Sequence, residues 1–238
     1  MTLELNQADE YLATQQGRTP YFREQEGRLV ELFSHFREQG TIPLPMGAIL
    51  ERRVHSSASD WMSYYFHSCT SFVYPAKSAY AKNEQRFKVC NMSERLLALR
   101  ENEVLVDGAL PLASYEEVVG KEFLYRDVVL ERDLRKEEAR EHPVLLELCF
   151  GDQALLNEVV EKHFSESNND TLMGIYLADE LAVPSELAAC VYGLGGRSLL
   201  GGGYHLDDDY RRLVGLEGSS AAGTAPEALN ALRTKNMG

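Results

Sequence analysis

The sequence lacks most of the signatures by which a chain declares its chemistry. No basic block exceeds two residues, and 24 lysines and arginines face 37 aspartates and glutamates, for a net charge of −13. High-affinity duplex binding needs clustered Lys and Arg to displace phosphate counterions, so nucleic acid is disfavoured as a partner. An anionic membrane surface is disfavoured for the same reason. No apolar run reaches the roughly 18 residues that a membrane-spanning helix needs. The N-terminal stretch MTLELNQADEYL has neither the basic nor the apolar region of a secretion signal. Cysteine is sparse: Cys69, Cys90, Cys149 and Cys190 form no CxxC pair. That argues against a zinc site and fits free, mostly buried thiols in a reducing compartment. HExxH, GxSxG and the GKS or GKT of a phosphate-binding loop are also absent. The expectation is a soluble, acidic, cytoplasmic protein.

What is present is an ordinary globular balance, 44% hydrophobic and 26% charged over 238 residues. That is enough apolar content for a core without disulfides or metal. RTPYFREQEGRLVELFSHFREQG (18–40) predicts a helix, with Leu29, Leu32, Phe33 and Phe36 on one face and Gly40 at its end. MGAILERRV (46–54) reads as a strand, and 56–69 as a helical stripe carrying Trp61, Tyr64 and Tyr65. SFVYP (71–75) and RFKVC (86–90) read as strands, rich in β-branched and aromatic residues. Ser93 starts a segment, SERLLALREN, that reads as a short helix or an extension of the sheet. The charged stretch 113–142 reads as largely helical, while PVLLELCF (143–150) suits a strand or a helix equally. Asp152 caps an amphipathic helix that places His163 on its apolar face. Residues 171–181 read as a strand, and Ser185 as the cap of a helix over ELAACVYGL. The sum is an α+β fold: a mixed or antiparallel sheet of short strands with several amphipathic helices. A weak boundary falls near 114, giving a strand-rich part over 1–114, a helical part over 115–217 and a Gly/Ala-rich tail over 218–238. A single domain reads equally well.

Four features carry potential chemistry. In EVLVDGALPL (103–112), Asp107-Gly108 sits between two apolar runs, the pattern of a two-residue hairpin turn. A strand ending in a carboxylate also resembles the strand-Asp-Gly-Ala opening of PIN-like nucleases over a few residues, without the Asn that follows in one subgroup. With Asp179 and the run Asp207, Asp208 and Asp209, Asp107 could converge on Mg²⁺ or Mn²⁺. His205, beside that run, could form an imidazole–carboxylate relay, and His67 lies two residues from Cys69. GLGGRSLLGGG (193–203) fits neither a phosphate loop nor a dinucleotide turn, and reads as a connection or a place of close backbone approach. Aromatics are densest between Trp61 and Tyr80; core packing explains them most simply, and any binding surface is expected here, around Trp61, Tyr64, Tyr65 and Tyr74.

Turn chemistry alone explains Asp107, so the leading expectation is an interaction or assembly subunit without catalytic activity or cofactor. Its partner would be a protein or a second copy of the chain. The alternative is a metal-dependent hydrolase acting on a phosphate ester through Asp107, Asp179 and Asp209, with His205 nearby and Mg²⁺ or Mn²⁺ as cofactor.

Overall fold

A computed structural model describes residues 28–55, 65–76, 84–128, 130, 132–167, 170–178, 181–193, 200–203, 205–207 and 212–217. The first helix, α1 (Leu29–Glu38), buries Leu29, Val30, Leu32, Phe33 and Phe36 on one face. Its first turn is closed by Glu31, whose carboxylate accepts from the backbone N–H and Nε of Arg28. Gly40, at φ 68°, turns the chain into β1 (Thr41–Pro43). The part of the predicted helix before residue 28 lies outside the described residues.

Residues 46–54 form a helix, α2 (Met46–His55), and not the expected strand. Met46, Ile49, Leu50 and Arg53 recur at helical spacing and are all buried, a period that the adjacent Ala48, Ile49 and Leu50 had obscured. The chain then reaches β2 (Phe66–Tyr74), where a helical stripe was expected to extend to residue 69. All nine residues of β2 are buried. Phe72 and Tyr74 join the main core, whereas Val73 points the other way, onto Leu112 and Tyr115. A strand covered on both faces shows no alternation, which is why its start was missed.

β3 (Arg86–Cys90) and a short helix, α3 (Glu94–Leu97), fall where expected. Ser93 caps α3 by accepting from the Leu96 N–H. Next come β4 (Leu110–Pro111) and β5 (Lys121–Leu124). Among the described residues, 113–142 form no long helix, where one was expected. Many of the charged residues of this stretch lie in β5, a 3-10 turn (Tyr125–Asp127), β6 (Leu134–Arg135) and a short helix, α4 (Lys136–Arg140). Backbone pairing of Lys121–Leu124 with β3 overrides their helical propensity. The ion pairs are accordingly between elements: Glu161 binds both Lys136 and Arg140, and Arg132 binds Glu138.

The apolar 143–150 stretch resolves as helix α5 (Pro143–Leu148), and Asp152 caps α6 (Gln153–Ser167) through the N–H groups of Ala154 and Leu155. β7 (Thr171–Leu172) and β8 (Ile175–Tyr176) follow. Ser185 starts a strand, β9 (Ser185–Val191), in place of the expected helix. Its hydroxyl donates to the Val183 carbonyl, so it caps nothing. All seven residues of β9 are buried. β10 (Leu200–Gly201) and β11 (Gly215–Glu217) complete the described elements.

The main sheet runs β5-β3-β2-β9-β10-β8, with β4 pairing the Ser185 end of β9. It is antiparallel except for β8 beside β10. β6 pairs β7, and β1 pairs β11 antiparallel, bringing the two ends of the described chain together. The core includes α1, α2, α5 and α6 packed with Phe66, Phe72, Phe87 and Leu187 of the sheet. The fold is α+β, as expected. Among the described residues no helix is long and apolar enough to cross a membrane.

Candidate functional site

The opening stretch resolves as a hairpin tip. Val106 and Ala109 exchange both backbone hydrogen bonds, at 2.9 and 3.0 Å, and Asp107 and Gly108 both have positive φ, 51° and 71°. These are the angles of a type I′ turn, which Asp and Gly tolerate. The turn is not solitary. The Leu206 N–H donates to the Gly108 carbonyl at 2.6 Å, and the Leu206 carbonyl accepts from Val30 at the start of α1 at 2.9 Å. A Cβ on Gly108 would lie 2.5 Å from both Asp207 Oδ1 and the His205 Cβ. Two of the three predicted acidic segments therefore meet, through backbone, around His205. Asp179, Asp208 and Asp209 lie outside the described residues. Among those described, no group of three or more His, Cys, Asp and Glu side chains is placed to hold a metal ion.

The histidine and cysteine candidates separate. Cys69 is fully buried, its thiol donates to the Pro43 carbonyl at 3.2 Å, and burial pushes its pKa well up. That is the opposite of an activated thiolate. A register shift between His67 and Ser71 also breaks the strand regularity that would set His67 beside Cys69. His163 is a core residue with its Nδ1 2.8 Å from the Val159 carbonyl.

Of the predicted aromatic residues, Trp61 and Tyr64 lie outside the described residues, and Tyr65 and Tyr74 are set apart by the whole length of β2. Tyr74 is internal. Its hydroxyl donates to the Gly202 carbonyl at 2.8 Å and accepts from the Ala178 N–H, and burial holds its pKa well above the usual value. A Cβ at Gly202 would strike Phe72 and the Tyr74 oxygen at 2.6 Å, so this part of the glycine-rich stretch serves close backbone approach.

Tyr65 stands where several chain segments converge. Phe66 pairs with Val191, Val191 with Leu200, and the His67 N–H donates to the Arg212 carbonyl. Around the half-buried Tyr65 ring stand His67 edge-on at 6.1 Å, Tyr192 tilted at 6.2 Å and the Arg212 guanidinium at 5.9 Å. Arg53 of α2 donates to the Tyr192 carbonyl at 2.6 Å, and its guanidinium lies over the Phe66 ring, 5.9 Å from the centroid. Burial lowers the Arg53 pKa to about 10, which leaves it protonated at neutral pH. The result is a cluster of two half-buried tyrosines and two buried arginines. It suits stacking and cation–π contact. Sequence reading found Tyr65 but missed Tyr192, Arg212 and Arg53, which join it only through sheet register and helix packing.

No family model matches the sequence, and no curated protein does. One solved structure, described as "accommodation of massive sequence variation in Nanoarchaeota by the C-type lectin fold", superposes with a TM-score of 0.60 at 14% identity, covering 82% of this chain and 99% of that one. At that identity the likeness speaks to architecture, and it gives this chain a C-type lectin-like α+β fold.

Proposed function

We propose that this chain is a non-catalytic binding module whose contact surface is the Tyr65 end of the central sheet, and whose partner is a protein or a second copy of itself. The observation that carries this reading is the Tyr65–Tyr192–Arg212 cluster: two half-buried aromatic rings, with a buried guanidinium against the first. Tyr and Arg are the residues on which interface energy concentrates. The fold likeness supports it. A fold described, for the neighbour, as accommodating massive sequence variation needs a core that holds whatever its surface carries. β2 and β9, buried along their whole lengths, have that character here. The net charge of −13 favours a protein partner over nucleic acid.

The test is association measured by light scattering on a sizing column, alone and with proteins of its source. Y65A combined with Y192A is expected to weaken association at least tenfold while leaving the melting transition cooperative. Unchanged association in a folded double variant overturns the reading. One observation favours the hydrolase alternative, the contact of the Asp107 turn with His205 and Asp207. Its measurement is thermal unfolding with and without Mg²⁺ or Mn²⁺. No shift is expected, and a metal-dependent rise that Asp107→Ala abolishes would put the hydrolase in place of the binding module.

A further inference from the structure

We draw no further inference here: the strongest candidate, a cleft of about 590 Å³ between α1 and residues 100–103 lined by Arg28, Arg37 and Arg100 with Glu38, Glu101 and Glu103, carries nothing because its charges of both signs select no ligand class, Arg28 and Arg37 are already held by Glu31 and by the Ala98 and Leu99 carbonyls, and nothing in the structure shows what covers it.

Discussion

His163 shows how a single buried side chain ties stability to pH. Burial first, and the nearby Arg53 charge second, lower its pKa from 6.5 to about 3. The folded core therefore keeps the ring neutral while the unfolded chain takes up a proton as pH falls below 6.5. The contribution is fully present above that value and is lost as pH falls towards about 3, with a slope of up to about 1.4 kcal/mol per pH unit. Between about pH 7 and about pH 5.5 this group alone is expected to cost about 1 kcal/mol, and His163→Leu to remove that share. Urea unfolding at the two pH values checks it; an equal slope in the variant would assign the dependence to other groups. Lys88 is a second buried side chain on which local structure depends, here through hydrogen bonds. Its buried ammonium donates to the carbonyls of Tyr115 at 2.9 Å and Val118 at 3.0 Å and stands 4.4 Å from the Tyr115 ring. Lys88→Met strands those acceptors and is expected to destabilise by about 1–3 kcal/mol. A loss below about 0.5 kcal/mol in urea unfolding would mean that the turn over 115–118 does not depend on it.

At the scale of elements, the Asp107-Gly108 turn was legible from the sequence, because two adjacent residues carry the whole turn preference. What the sequence did not carry was the turn's neighbour. Gly108 has φ +71° and no room for a side chain, so Gly108→Val meets both a backbone penalty and a clash with His205 and Asp207. A loss of about 1–3 kcal/mol is expected, against about 0.5 kcal/mol or less for Asp107→Gly. Equal losses in urea unfolding would place the constraint on Asp107 instead. Two of the misread elements share a cause. α2 and β9 are short apolar runs whose periodicity admits helix and strand alike, and partners far along the chain decide between them. Residues 121–124 were misread because their charges suggested a solvated helix, whereas backbone pairing with β3 makes them an edge strand.

Across the whole molecule, the fold closes by joining residues far apart in sequence. β1 pairs β11, the Leu44 N–H donates to the Val214 carbonyl at 2.8 Å, and His67 bridges to Leu213. Leu213 and Val214 are 1% and 2% exposed. Burial of side chains of this size contributes about 1.5–3 kcal/mol each. Lost together with the strand pairing, they approach the total stability of an ordinary domain, about 5–15 kcal/mol. A chain ending at Arg212 is therefore expected to lose its cooperative thermal transition, with a chain ending at Glu217, which retains these contacts, as control. A sharp melt in the shorter chain would show that the closure is dispensable. The same closure sets Arg212 beside Tyr65, so the candidate binding surface and the integrity of the fold depend on one set of contacts.

The sequence by itself determined what local physics decides: the α+β composition, the amphipathic face of α1, the Ser93 and Asp152 caps, the Asp107-Gly108 turn and the acidic surface. Each rests on residues a few positions apart, where capping, turn angles and periodicity act. Only the tertiary structure decided that β2 and β9 are central strands, that the Gly108 turn lies against His205, and that Tyr65, Tyr192, Arg53 and Arg212 form one surface. Those juxtapositions come from sheet register and core packing, which join residues far apart in the chain, more than a hundred positions for β2 with β9 and for Arg53 with Tyr192, and leave no periodic trace.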